Sequence, residues 1–236
     1  MRLEPAGLLA EAVQRYTSER PALHAVAGLF FFVPALALLF FVETASATDG
    51  QSVTDALRAI MADNWPWLLG VQLLELFGSA WLYAWLLGRD KPSLRQSLDR
   101  AVTLFPMFLI ASVLVGLLTF AGLLFFLAPG FYVIGRTFLV APILIAEPGT
   151  TAIKAFEESI RRTQGMGWML FVIAAAIWLT GQFPNLLLRP LEAPLGLAGT
   201  VLVDGIAAIA GAAVTLLILL VKVAVYRRTA GSKRGT

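Results

Sequence analysis

Six runs of apolar residues, each about as long as a hydrocarbon bilayer is thick, constrain this chain more than any motif in it. About 30 Å of hydrocarbon at about 1.5 Å rise per residue takes roughly 20 residues of helix. The runs cover residues 23–42, 65–87, 104–127, 131–146, 168–188 and 199–221. Composition agrees: 58% of the 236 residues are hydrophobic and 14% charged, with a mean hydropathy of +0.80, whereas soluble domains carry about 25% charged residues. Backbone groups in hydrocarbon must bond to one another, and runs of this length do so as helices. The expected fold is all-α: a polytopic transmembrane bundle of six spans, one integral membrane domain over residues 1–236, with short amphipathic interfacial helices. The fourth run is short, so tilt or a locally thin bilayer has to help it across.

The motif "ASA" at residues 45–47 follows the first run and has the form of a signal-peptidase site. That run exceeds the roughly 7–15 residues of a signal h-region, and Glu4, Glu11 and Glu19 precede it in place of a purely basic head. The first helix is therefore expected to stay. Cysteine is absent, so neither a disulfide framework nor thiol chemistry is expected.

Lysine and arginine near span ends mark the cytoplasmic side. Fifteen of the eighteen fall on one side of the expected spans, Lys222 among them, with Arg58 and Arg189 opposite and Arg136 inside a span. Both termini are thus expected in the cytoplasm. The net charge of +3 reads as this asymmetry together with contact to anionic headgroups on the cytoplasmic side. Nucleic acid is not an expected partner, since no basic aromatic groove is legible. Trp65, Trp67 and Tyr132 are expected at the outer interface, and Trp81, Tyr83, Trp85, Trp168 and Tyr226 at the inner one.

The segments between the runs have a helical period. In "GTTAIKAFEESIRRTQG", Ile153, Phe156 and Ile160 share one face, while Lys154, Glu157, Glu158, Arg161 and Arg162 occupy the other. Glu157/Arg161 and Glu158/Arg162 have the favourable acid-before-base order at i,i+4. This segment is expected to lie along the membrane surface. In "KPSLRQSLDRAV", Ser93 and Gln96 fit a capping box ahead of an apolar face. Weaker versions occur in "LLAEAVQRY" and "SVTDALRAIM", so four spans are each expected to follow a short amphipathic helix, a weak repeat of structure.

The order "PSLRQSLDRAV", a span, "LAPGFYVIGRTFLVAPILIAEPG", then "TTAIKAFEESIRRTQGMGWML" resembles the YciC-like group of bacterial six-helix membrane proteins, and the membrane domain attached to some glycerophosphodiester phosphodiesterases. The positions that carry the resemblance are Pro129, Gly130, Phe131, Glu147, Gly149, Ala155, Ser159, Gly165 and Trp168, within residues 92–171. The resemblance implies a multi-pass protein of the bacterial cytoplasmic (inner) membrane. It implies no chemistry, because the soluble phosphodiesterase domain with its acidic and histidine active site is not in these 236 residues.

Catalytic groups must converge within hydrogen-bond reach, and the sequence offers few. His24 is the only histidine and stands near the start of the first span, where an interfacial role outweighs a metal or general-base one. No Gly-x-Ser-x-Gly elbow, Walker loop or His-Glu-x-x-His signature occurs. Glu157 and Glu158 have basic neighbours at salt-bridge spacing. No catalytic residue, metal site or cofactor is expected.

Polar groups inside spans are costly and are therefore paired or functional. Glu75 lies ten residues after Trp65, about 15 Å below the outer interface, and Arg136 lies six residues past Gly130, about 9 Å below it. The two are expected to pair, with Asp204 as the competing partner and Gln72, Gln182 and Asn185 completing a polar cluster. Pro129-Gly130 is expected to make the turn between the third and fourth spans. Gly205, Ala208, Gly211 and Ala212 put small residues on one face of the sixth span, for close helix contact. Two functional classes follow. One is a non-catalytic membrane protein that organises or senses the envelope through its interfacial helices. The other is a small transporter or channel with a polar path at Glu75 and Arg136. Membrane lipids are the expected partners, with a homo-oligomer or an envelope protein as the further kinds of partner.

Overall fold

The computed structural model describes residues 4–41, 53–88 and 92–231, and among them there are helices and turns but no strand. The motif at residues 45–47 lies outside the described residues. Helix α1 (Pro5–Ala27) continues through a π-helical turn at Gly28–Phe32 into α2 (Val33–Phe41). Then come α3 (Val53–Leu87), α4 (Leu94–Phe125), α5 (Leu127–Arg136), α6 (Val140–Ala146), α7 (Ala152–Arg162) and α8 (Gly167–Leu188). A short 3-10 turn leads into α9 (Glu192–Gly231).

Among the described residues, six stretches are long and apolar enough to cross a membrane: Pro5–Leu38, Met61–Leu87, Leu94–Phe125, Leu127–Ala146, Gly167–Leu191 and Pro194–Gly231. The all-α, six-span architecture is therefore present, with different edges. Of the four expected amphipathic helices, the two before the second and third spans are not separate: α3 and α4 run through them into the hydrocarbon-length region. The first is parted from its span only by a kink at Glu19, two residues before Pro21, where proline removes a ladder hydrogen bond and crowds the preceding turn. α7 alone stands by itself between spans, held off by Gly149 and Gly165 at φ +74° and +76°, a conformation that costs glycine least. The capping box of α4 forms as expected, with Ser93 Oγ accepting the Gln96 N–H at 3.2 Å and Gln96 Oε1 accepting that of Ser93 at 3.0 Å.

The reversal between the third and fourth spans is not at Pro129-Gly130. It is made by Phe126 alone, extended at φ −169° and ψ 148°. Pro129 and Gly130 lie in the first turn of α5. Proline is tolerated there, where N–H groups have no partner in the helix. Gly130 is needed for closeness: a Cβ on it would fall 2.5 Å from the Leu123 side chain across the hairpin. The small-residue face of α9 is likewise not where helices meet most closely. Gly205 and Gly211 have open space around them, whereas a Cβ on Gly181 of α8 would come within 2.5 Å of Val214.

α5 and α8 run antiparallel, with Phe131 stacked on Phe171 at 4.6 Å between ring centroids and Gly135 against Gly167. With 10 residues against the 22 of α8, α5 covers only part of its partner and starts well along it. The chain then breaks at Thr137–Leu139 and completes the crossing as α6. Tyr132 consequently sits beside Trp168, at the α7 end of the bundle and not at the opposite interface. That end holds the densest packing, including the fully buried Leu8, Leu82, Leu139, Ile143, Leu170 and Leu220. The far ends of α4 and α8 stay open, as Phe125, Phe126, Leu186 and Leu187 show, which costs nothing where lipid tails replace water.

Candidate functional site

The break in the fourth span has to be satisfied without water. α7 does this. The Ser159 hydroxyl donates to the Arg136 carbonyl at 2.8 Å and accepts the Leu139 N–H at 3.1 Å. The Thr163 hydroxyl lies 3.1 Å from the same Arg136 carbonyl and 2.7 Å from the Ser159 carbonyl, either of which can accept its hydrogen. Both hydroxyl residues are wholly buried. Ala152 and Ala155 flank them on the buried face of α7, and their small size lets the helix come this close.

The face of α7 that turns toward the bundle is that of Ala152, Ala155, Ser159 and Thr163, beside the apolar face of Ile153, Phe156 and Ile160 expected to meet the membrane surface. Phe156 packs partly against the core and Ile160 is half-buried, but Ile153 is 64% exposed. Hydrogen-bonding demand at the break selects Ser159 and Thr163 for the inner face and leaves the isoleucines on a flank. Glu158 and Arg162 pair as expected, at 2.5 Å, whereas Arg161 pairs with Glu158 and not with Glu157.

Arg162 also holds Glu147, after α6, at 2.5 Å, and its guanidinium lies 5.5 Å from the Tyr226 ring of α9. The Tyr226 hydroxyl donates to the same Glu147 oxygen at 3.1 Å. Burial alone would lower the Arg162 pKa, but its bonds to Glu158 and Glu147 outweigh that and hold it above the ordinary value. Helix α7 is therefore tied to the break, to the end of α6 and to α9.

The expected intramembrane polar cluster is not assembled. Arg136 lies against Gly167 with its guanidinium 5.6 Å from the Tyr132 ring, and makes no ion pair among the described residues. The late start of α5 along α8 carries it to the α7 end, away from the depth expected for Glu75. Among the described residues Glu75, Asp204, Gln72, Gln182 and Asn185 make no side-chain hydrogen bond or ion pair. His24 accepts or donates a 2.7 Å hydrogen bond with the Tyr16 hydroxyl.

One residue was missed. Lys222 was expected beyond the sixth span, but α9 runs through it, and its ammonium stands 5.3 Å from the Phe138 ring centroid. Two cavities adjoin it, about 530 Å³ and about 210 Å³, and both are lined by Val115, Thr137 and Lys222. The signal was present in "LLVKVAVY", a lysine with apolar residues on both sides. No protein-family model, no curated protein and no solved structure matches the chain.

Proposed function

We propose that this chain is a non-catalytic bacterial inner-membrane protein, with both termini cytoplasmic, that organises or senses the envelope membrane through α7. The observation that carries the reading is the Ser159 clasp on the broken fourth span. An amphipathic helix at the headgroup level feels lipid charge and packing, and this one is hydrogen-bonded to an intramembrane break. Ile153 offers an apolar flank, and Lys154 and Arg161 a basic face to anionic headgroups. Several charged groups at this end are engaged with one another, Arg162 with Glu147 and Glu158 and Arg228 with Glu11 at 3.0 Å, which favours a structural over a catalytic role for them. A transport path past Glu75 and Arg136 draws less support, because those side chains have no mutual contact.

Spin labels at residues 153 and 157 in reconstituted vesicles test the reading. Residue 153 is expected to be shielded from an aqueous relaxation agent and residue 157 not, with the contrast growing as anionic lipid is added. Equal accessibility at both sites, whatever the lipid charge, would remove the basis for sensing.

A further inference from the structure

Lys222 makes no ion pair or hydrogen bond among the described residues, although α9 holds it inside the bundle. It lies five residues before Arg227, whose guanidinium donates to the Leu86 carbonyl at the end of α3. On the helical rise that is about 7.5 Å deeper into the bundle. An unpaired cation at such depth is expensive in lipid and marks a functional position by default. Among the described residues, the attraction it finds is the face of Phe138.

The two cavities at Lys222 differ in chemistry. The smaller one lies between α3, α4, α6 and α9 and receives the hydroxyls of Ser79 and Tyr83. Tyr83 is 3% exposed, yet neither its hydroxyl nor that of Ser79 has a hydrogen-bond partner among the described residues. Both hydroxyls are open to the cavity, Ser79 being half-buried, and polar groups inside a bundle are nearly always bonded, so idle donors call for an acceptor. Among the described residues, no carboxylate lines either cavity. Glu75 is on the same face of α3 as Ser79 but, on the register set by Leu86 and Arg227, about 9 Å farther along the bundle than Lys222. The donors therefore face a space with no anion from the described residues.

The larger cavity is apolar, walled by Phe131, Phe171, Ala175 and Ile218. Its rim includes Trp178 and Leu179, each 54% exposed, so it opens sideways onto the surface that hydrocarbon covers. About 530 Å³ falls within the roughly 300–1,000 Å³ of ligand pockets. Water would be a poor occupant of apolar walls, and an acyl chain a good one.

We propose that this double cavity binds one single-chain anionic amphiphile. Its headgroup, a carboxylate or a phosphate monoester, accepts hydrogen bonds from Lys222, Tyr83 and Ser79 in the smaller cavity. Its acyl chain lies in the larger one and enters past Trp178 and Leu179. Charge-assisted bonds to the headgroup are the stronger kind, and the compact smaller cavity excludes a bulky zwitterionic head. The inference stands on the cavities and does not depend on α7 acting as a sensor.

The full chain in phosphatidylcholine nanodiscs is exposed to a photoactivatable palmitic acid, and in a second arm to a photoactivatable lysophosphatidic acid. Saturable labelling of the segment holding Phe171 and Ala175 is expected in at least one arm, and the stronger arm identifies the headgroup. Hexadecanol, which has the chain without the charge, should compete poorly. Lys222→Gln should weaken labelling by at least about tenfold, the scale of one lost charge-assisted bond, and Ala175→Trp should abolish it by filling the chain cavity. Tyr83→Phe keeps the shape and should weaken labelling severalfold, which holds the test open if Lys222→Gln fails to fold. Undiminished labelling of Lys222→Gln or Tyr83→Phe, equal competition by hexadecanol, or no saturable labelling in either arm would overturn the proposal.

Discussion

Ser159 on α7 donates its hydroxyl hydrogen to the carbonyl of Arg136, 23 residues back in the chain, at 2.8 Å. That bond fastens a surface helix to the point where the fourth span is broken. Its second bond, from the Leu139 N–H, closes the other side of the break.

Ser159→Ala should therefore leave one carbonyl and one N–H with reduced or no partners in a fully buried place. Each stranded group costs about 1–3 kcal/mol, while Thr163 can still serve the carbonyl. Thermal unfolding in mild detergent should show a loss of at least about 1 kcal/mol with helix content unchanged. An unaltered melting temperature would mean that the break is satisfied in another way.

Arg162 is the hub of a second tie, with 7% of its side chain exposed. Removing one member of a buried pair leaves the other charge uncompensated, at about 3–5 kcal/mol. The loss on Arg162→Met should fall toward the lower end, since Glu147 keeps 34% of its side chain exposed. Arg162→Met combined with Glu158→Gln and Glu147→Gln should lose less than Arg162→Met alone. Strictly additive losses in that cycle would show that the three charges act independently.

Gly135 and Gly116 make a matched pair. A Cβ on Gly135 would stand 1.9 Å from the carbonyl oxygen of Gly167, a backbone atom that cannot rotate away, whereas one on Gly116 meets nothing within 4 Å. Gly135→Ala should part α5 from α8 and cost at least the roughly 1–3 kcal/mol of overpacking. Gly116→Ala should cost nothing, since alanine is the better helix former. Comparable stability of the two variants would contradict the α5–α8 contact.

Topology follows from the basic bias and six crossings. A reporter active only outside the cytoplasm, fused after Arg228, should stay silent, and one fused at Arg189, in the turn between the last two spans, should be active. The opposite pattern would invert the orientation.

Much of this architecture could be read from hydropathy alone, because span length is a one-dimensional property of the chain. What failed was depth. The Pro129-Gly130 dipeptide marks the hairpin but not its turn, since proline suits the first turn of a helix as well as a loop. A turn at Pro129-Gly130 implies an Arg136 near the opposite end of the bundle and in reach of Glu75, whereas the turn at Phe126 and the late start of α5 along α8 carry it to Gly167. Lys222 is hidden for a related reason: a charge reads as the end of a span, but this span continues through it. On α7, amphipathic period marks the helix and its apolar face, whereas the second, bundle-facing side is not legible, because Ser159 and Thr163 are chosen by backbone groups 20 or more residues away that no local window contains.

Hydrogen exchange of the amides at residues 137–141 tests the central claim most directly, measured in nanodiscs of neutral lipid and again with anionic lipid added. If α7 transmits the state of the headgroup layer to the break, protection of the Leu139 amide should rise with anionic lipid in the wild-type chain and stay low and unresponsive in Ser159→Ala. Protection that is the same in both lipids, or that responds equally with and without the Ser159 hydroxyl, would contradict the account.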